Sequence, residues 1–100
     1  MTDATQPQTA RIVVVDDHPI VRRGLIELIN DIAEYQVVGE AADIATALDV
    51  LNELKPDLAL IDLSLGDGHG LELIKQVRAA GLELKMLVVS MMDEALYADR

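Results

Sequence analysis

Two apolar runs that each end in aspartate dominate the hydrophobic pattern of the chain. Residues 12–15 read Ile-Val-Val-Val and lead into Asp16 and Asp17, and residues 58–61 read Leu-Ala-Leu-Ile and lead into Asp62. Short continuous aliphatic runs are typical of strands that are buried on both faces, as in a parallel α/β sheet. Open α/β folds bind ligands at the carboxyl ends of their strands. If the two strands are neighbours, the pattern predicts three carboxylates at one edge of a sheet.

The rest of the chain alternates between helix-type and strand-type patterns. Two further strands are predicted over Tyr35–Ala41, whose polar residues suit a sheet edge, and over Met86–Val89. Helical stripes follow the first three strands, and a fourth helix is expected to begin at Asp93. The three stripes are Val21, Leu25, Leu28, Ile29 and Ile32; Ile44, Ala47, Leu48 and Leu51; and Leu71, Ile74 and Val77 with Leu73 beside them. This order predicts an α/β domain with a parallel sheet and helices on both faces.

Local signals set the expected helix ends. Asp43 is placed to cap the second helix, and Gly81 suits the position just beyond the third. Gly24 lies inside the first helix, which suggests close packing on the sheet at that point. Residues 1–10 are polar, carry a proline and show no periodicity, so they are expected to form a disordered tail before structure begins at Arg11.

Composition narrows the class of function. The chain has 100 residues, 51% of them hydrophobic, which suits one domain with a core. Its net charge of −10 opposes direct binding to nucleic acid. With no cysteine it has neither disulfides nor thiolate metal ligands. No apolar run approaches the roughly 18 residues needed to span a membrane, and no signal peptide is visible. A cytoplasmic location is the expectation.

The predicted acidic edge has the chemistry of a magnesium site. Two carboxylates roughly 4 Å apart repel each other by about 4 kcal/mol at an effective dielectric constant near 20, so the cluster calls for a cation or a shared proton. Mg²⁺ prefers one or two carboxylates with waters and a phosphate partner. An aspartate beside that ion can attack phosphorus and form an acyl phosphate. Ser90 follows the fourth strand, where its hydroxyl could donate a hydrogen bond to a phosphoryl oxygen.

Each of these residues also has a structural interpretation. Asp17 could equally cap the first helix, whereas Asp62 opens a loop, so capping explains it less well. His18, beside a proline and with no second histidine nearby, is interpreted as a packing or capping residue rather than a ligand. His69 is expected in solvent, and Ser90 taken alone would be a turn residue. The case for a site depends on finding acids at successive strand ends.

At the level of motifs, the chain resembles the receiver domain of two-component response regulators. Residues 11–25 read Arg-Ile-Val-Val-Val-Asp-Asp-His-Pro-Ile-Val-Arg-Arg-Gly-Leu, followed by Ala59-Leu-Ile-Asp62 and by Gly70-Leu71. The Asp-Asp-His-Pro-x-Val-Arg-x-Gly-Leu form is similar to the NarL/FixJ-type branch. The resemblance covers residues 11–100 and implies a flavodoxin-like fold with strand order 2-1-3-4-5.

The resemblance also implies roles for individual residues. Asp62 would accept a phosphoryl group from a sensor histidine kinase. Asp17 would bind Mg²⁺ directly and Asp16 largely through water, while Asp62 and the backbone carbonyl of Ser64 would complete the protein ligands. Ser90 would be the switch hydroxyl that turns toward the phosphoryl group. Such a domain is a phosphoacceptor and switch, with at most weak catalysis of its own phosphorylation and dephosphorylation.

The chain departs from the family pattern in three respects. Residues 64–66 read Ser-Leu-Gly where the family usually has a Met-Pro pair. The family's fifth strand and helix, with its phosphoryl-binding lysine and aromatic switch residue, have no counterpart here, and neither does a helix-turn-helix output domain. We therefore expect a piece of a longer transcription regulator. The uncovered fourth strand is expected to favour dimers, including dimers that exchange an element between chains.

Two other functions remain open at this stage. The chain could be a receiver-like interaction module that works without phosphorylation, which the acid triad opposes and the missing lysine mildly favours. It could also be a Mg²⁺-dependent phosphohydrolase with an aspartyl nucleophile. That chemistry would usually need an acid two positions after the nucleophile, where this chain has Ser64.

Overall fold

Four parallel strands form one sheet, and numbered along the chain they follow the order 2-1-3-4 within the arrangement that the family resemblance implies. The computed structural model describes residues 9–65 and 70–89. Within these ranges the elements are β1 Ala10–Val15, α1 Pro19–Asn30, β2 Tyr35–Ala41, α2 Ile44–Leu54, β3 Leu58–Asp62, α3 Gly70–Ala79 and β4 Lys85–Val89. The predicted helix from Asp93 lies outside the described residues.

The first strand begins earlier than predicted. The sequence pattern places Ala10 in the tail, but Ala10 pairs with Tyr35 of β2, and its backbone N–H donates to the carbonyl of Glu34 at 2.9 Å. Backbone pairing with β2 therefore extends the sheet by one residue beyond the aliphatic run. Residues 1–8 lie outside the described part of the chain.

The core lies on both faces of the sheet because side chains alternate along each strand. Val13 and Val15 of β1 pack on the side of α2 and α3, whereas Ile12 and Val14 pack on the side of α1. All four are buried. The continuous aliphatic run thus forms a strand that is covered on both faces, and it holds the following aspartates at a rigid edge of the sheet.

Two of the predicted helix stripes are partly wrong. Leu28 of α1 is 67% exposed and Leu71 of α3 is 58% exposed. The α1 side chains that pack against the core are Leu25, Ile26 and Ile29, and the buried α3 residues are Gly70, Leu73 and Val77. Ile32, predicted on the α1 stripe, lies beyond the end of the helix and is exposed. Hydrophobic spacing sets the width of an apolar stripe, but packing on the sheet decides which side of it is covered.

The predicted caps of α2 and α3 are confirmed. The Asp43 carboxylate accepts from the backbone N–H of Thr46 at 2.8 Å. Gly81 has a φ of 75°, and after it Leu82 donates to the carbonyl of Val77 at 3.3 Å, which completes a Schellman ending of α3. The expectation of close packing at Gly24 is wrong, because a methyl group there would have no heavy atom within 4 Å.

The cap at Asp43 predicts a pH-dependent contribution to stability. Its hydrogen bond from the Thr46 backbone lowers the pKa of Asp43, so the stabilisation is present above the unfolded-state pKa and is lost as pH falls through the folded-state pKa. We expect Asp43→Ala to lower the urea midpoint at neutral pH, and Asp43→Asn, which keeps an acceptor oxygen, to lower it less. The difference between wild type and Asp43→Asn should shrink on acidification. Asp49→Asn, on the exposed side of α2, is the control. If both Asp43 variants lowered the urea midpoint equally and independently of pH, the predicted role of the carboxylate charge would be wrong.

Candidate functional site

Neighbouring strands bring the predicted acids to one edge of the sheet. Val15 of β1 pairs with Ile61 of β3, so Asp16 and Asp62 both lie at the carboxyl ends of adjacent parallel strands. Their side chains are 0% and 1% exposed. One side-chain ligand atom from each of Asp16, Asp17, His18 and Asp62 can be chosen so that all four lie within 4.8 Å of one another. The structure therefore brings the three acids together, and it adds an imidazole to them.

The two oxygens of the Asp62 carboxylate have different environments. Its Oδ1 accepts from the backbone N–H of Ser64 at 3.1 Å and from the Ser64 hydroxyl at 2.9 Å. Its Oδ2 is buried and has no hydrogen-bond partner among the described residues. The Ser64 donors thus fix the orientation of the carboxylate and leave one oxygen directed at the cluster.

Asp16 is held in the same way, with one oxygen bonded and the other without a partner. Its Oδ1 accepts from the backbone N–H of His18 at 2.8 Å, whereas Oδ2 is buried and has no hydrogen-bond partner in the described part of the chain. Its backbone is anchored twice: the N–H donates to Ala41 at 3.0 Å, and the carbonyl accepts from Arg22 at 2.6 Å. Arg22 in turn donates to Glu40 at 2.7 Å.

His18 points into the acid cluster, which the sequence interpretation missed. Its Nδ1 lies 3.0 Å from Asp16 Oδ1, 2.9 Å from Asp17 Oδ1 and 3.6 Å from Asp62 Oδ2. The hydrogen bond with Asp16 is the main cause that raises the pKa of His18 above its ordinary value, and the charges of the three carboxylates add to it. His18 occupies the cap position of α1, but its side chain makes no capping hydrogen bond.

The structure gives less information about the other predicted site residues, Asp17, Ser64 as a carbonyl ligand, and Ser90. Asp17 immediately precedes the cap position of α1, and its carboxylate is about one-third exposed and lies beside His18. The role of the Ser64 carbonyl as a ligand stays a prediction. Ser90 lies outside the described residues, although Val89, which precedes it, pairs with Asp62 across β3 and β4.

The donor set fits a small divalent cation. Three carboxylates supply hard oxygen ligands of the kind that Mg²⁺ binds. Burying carboxylate oxygens without partners is costly, yet Asp16 Oδ2 and Asp62 Oδ2 are both buried in this state. A cation between them would satisfy these oxygens and relieve the repulsion among the acids.

Comparison with known proteins identifies the family. The family model described as the response regulator receiver domain matches residues 12–100. The chain belongs to the response regulator receiver family. This confirms the resemblance drawn from the sequence motifs and the flavodoxin-like α/β fold expected from it.

The relatives of this receiver include DNA-binding regulators of the NarL type. It is 38% identical over 88 residues to the DNA-binding transcriptional activator DevR/DosR of Mycobacterium tuberculosis. The match covers 86% of this chain and 41% of the relative. It is 34% identical to the nitrate/nitrite response regulator NarP of Escherichia coli, over 93% of this chain and 42% of the relative. The chain thus spans about two-fifths of these curated relatives.

Solved structures show the same fold. The receiver domain of the response regulator NarL from Mycobacterium tuberculosis superposes with a TM-score of 0.80 at 36% identity, covering 90% of this chain and 73% of that chain. RcsB from Salmonella enterica, solved on a promoter in the presence of the phosphomimetic BeF₃⁻, gives a TM-score of 0.72 at 30% identity, over 84% of this chain and 43% of that chain. Receiver domains of this kind are regulatory switches rather than conventional enzymes. Among the described residues of this one, no helix is long and apolar enough to cross a bilayer.

Proposed function

We propose that this receiver accepts a phosphoryl group on Asp62 from a sensor histidine kinase and thereby controls an output domain that acts on transcription. The observation that carries the proposal is the Asp62 carboxylate, which is buried at the end of β3 with Oδ1 held by Ser64 and Oδ2 without a hydrogen-bond partner among the described residues. A carboxylate held in one orientation beside other acids suits a phosphoacceptor better than a structural residue.

In this proposal each residue of the cluster has a separate task. Asp17 would hold Mg²⁺, with Asp16 acting largely through water and with Asp62 and the Ser64 carbonyl as further ligands. Mg²⁺, when bound, neutralises charge that develops on the transferred phosphoryl group. The Ser64 N–H and hydroxyl orient Asp62, whose carboxylate oxygen forms the new bond to phosphorus as the phosphorus–nitrogen bond of the kinase phosphohistidine breaks.

The phosphoryl group would act on β4 through charge and hydrogen bonding. It adds about 1.5 to 2 negative charges beside a strand that ends at Val89, and the backbone of β4 already contacts the segment after Asp62 through a 2.6 Å hydrogen bond from Leu63 to Val89. We propose that the Ser90 hydroxyl turns toward the phosphoryl group and changes the surface around β4. The DNA-bound phosphomimetic state of the related RcsB supports a transcriptional output. A cytoplasmic setting is part of the proposal.

The test is Asp62-dependent modification of the chain. We expect the wild-type protein, incubated with Mg²⁺ and acetyl phosphate, to gain the mass of one phosphoryl group, and Asp62→Asn to gain none. Asp49→Asn, on an exposed position of α2, should be modified like wild type. An unmodified wild-type chain, or equal modification of Asp62→Asn, would overturn the proposal. The first outcome would instead favour an interaction module that works without phosphorylation.

A second prediction concerns self-association. Among the described residues β4 pairs on one side only, and Leu87 and Val88 are exposed. An apolar edge strand with free backbone groups favours pairing with a second copy. We expect light scattering to show a mass that rises toward a dimer with concentration, and Leu87→Lys to keep the chain monomeric. A monomeric wild-type mass across the same range would contradict this prediction.

A further inference from the structure

Arg22, near the start of α1, joins the carboxyl ends of β1 and β2. Its Nη1 donates to the backbone carbonyl of Asp16 at 2.6 Å, and its Nε donates to Glu40 Oε1 at 2.7 Å. Side chains on a helix lean toward its N-terminus, so a long side chain at this position reaches back over the start of α1. The guanidinium is planar, and two donors at fixed spacing therefore hold the two strand ends together.

The Asp16 carbonyl depends on a side-chain donor because it lies beyond the sheet. The last pairs of β1 are made by Val15, with Ala41 on one side and Ile61 on the other. Asp16 itself is fully buried, so water does not readily take the place of the guanidinium. A buried carbonyl that loses its donor is costly, which makes the bond from Arg22 a firm constraint on this peptide.

The same carbonyl belongs to the peptide unit that leads into Asp17. The atoms of a peptide unit are coplanar, so fixing the Asp16 carbonyl also fixes the N–H and Cα of Asp17. Asp17 lies between the end of β1 and the start of α1, outside the strand pairs of the sheet. The direction in which its carboxylate leaves the backbone is therefore set by a peptide that Arg22 holds.

We propose that Arg22 is a positioning residue, which sets the place of Asp17 in the ion site by holding the Asp16–Asp17 peptide. The inference rests on the proposed function in taking Asp17 as a ligand of Mg²⁺. Glu40 acts on the site through Arg22: its carboxylate, 53% exposed, accepts from Nε and so orients the guanidinium. Exposed ion pairs contribute little stability by themselves, so this pair matters for where it holds the other donor, Nη1.

Mg²⁺ affinity, measured by isothermal titration calorimetry without a phosphoryl donor, tests the proposal. We expect Arg22→Met, which keeps an aliphatic stem but has no donor, to weaken Mg²⁺ binding by about tenfold or more. The sign is decisive, because loss of a positive charge near a cation site would tighten binding if charge alone acted. Arg23→Met, at the exposed neighbour on α1, loses the same charge and should bind at least as tightly as wild type. Wild-type or tighter binding by Arg22→Met would overturn the proposal.

Variants of Glu40 test whether it acts through Arg22. Glu40→Ala should bind Mg²⁺ more weakly than Glu40→Gln, which loses the same charge but keeps an acceptor oxygen. Residues that act along one chain of contacts are not additive, so this difference should vanish when Arg22→Met is already present. A difference of the same size in both backgrounds would contradict the role of Glu40.

The Mg²⁺ dependence of modification separates positioning from a loss of folding. With acetyl phosphate, Arg22→Met should keep a maximal rate close to wild type and need a higher Mg²⁺ concentration for half of that rate. Adding Gly24→Ala to recover stability should leave this higher concentration unchanged. A lower maximal rate with wild-type Mg²⁺ dependence would show a purely structural role and overturn the proposal. If the wild-type chain binds no Mg²⁺, the ion site of the proposed function falls as well; if only Arg22→Met behaves like wild type, that function stands.

Discussion

Replacing Asp16 with asparagine should stabilise the metal-free protein and weaken its ion site. The Asp16 side chain is fully buried beside Asp17 and Asp62, and its Oδ2 has no hydrogen-bond partner among the described residues. Asn keeps the oxygen that accepts from His18, removes one negative charge, and supplies an N–H that can donate to a neighbouring carboxylate. At a pH where His18 is neutral, we expect the free energy of unfolding in EDTA to rise by about 2 kcal/mol, a part of the repulsion between adjacent carboxylates.

Adding Mg²⁺ should make wild type more stable than Asp16→Asn, the reverse of the order expected in EDTA. Binding to the folded state alone raises stability in proportion to the logarithm of ligand concentration over its dissociation constant. Wild type should therefore gain stability as Mg²⁺ increases, and Asp16→Asn should gain less. Urea unfolding in EDTA and in a Mg²⁺ series measures both effects, with Asp49→Asn as the control. A variant that is less stable than wild type in EDTA would show that the cluster is not under electrostatic strain.

Gly70→Ala should damage both stability and phosphoryl acceptance. A methyl group at Gly70 would lie 2.7 Å from the Asp62 carbonyl oxygen and 2.9 Å from two backbone atoms of Leu63. These neighbours are main-chain atoms of Asp62, the proposed phosphoacceptor, and of the residue after it, so relief of the clash must move Asp62 or the start of α3. We expect a loss of about 1 to 3 kcal/mol in the free energy of unfolding, with a reduced rate of modification by acetyl phosphate.

Gly24→Ala provides the matched control for this substitution. Gly24 lies within α1, and an added methyl group would meet no heavy atom within 4 Å. Since glycine inside a helix is roughly 0.5 to 1 kcal/mol less stable than alanine, this variant should gain stability by about that amount and be modified at the wild-type rate. If Gly70→Ala matched wild type in both stability and rate of modification, the inference that α3 packs too tightly on the Asp62 backbone to admit a methyl group would be wrong.

The sequence predicted the frame of the site because its signals there are strong and local. The aliphatic runs before Asp16 and Asp62 are typical of strands covered on both faces, and acids after such strands lie at a sheet edge. That the two strands are neighbours was a hypothesis supported by family resemblance, since no local pattern determines which strands pair. The structure places β1 beside β3 and so brings the acids together.

The sequence did not predict how helices are rotated on the sheet or where the His18 side chain points, because residue type alone does not determine either orientation. Leu28 and Leu71 belong to apolar stripes, but the rotation of a helix on its sheet is set by packing that the stripe does not specify. The residue type of His18 and the neighbouring proline predict a packing or capping role. Only the rotamer, with Nδ1 turned toward three carboxylates, assigns it to the site.

Chemical mapping of the phosphoryl group shows directly whether Asp62 is the acceptor. The wild-type chain would be treated with acetyl phosphate and Mg²⁺, reduced with borohydride, which converts an aspartyl phosphate to homoserine, and digested for mass spectrometry. We expect homoserine at position 62, and none when Mg²⁺ is replaced by EDTA. Homoserine at position 16 or 17 in place of position 62, or its absence from the whole chain, would show that Asp62 is not the phosphoacceptor.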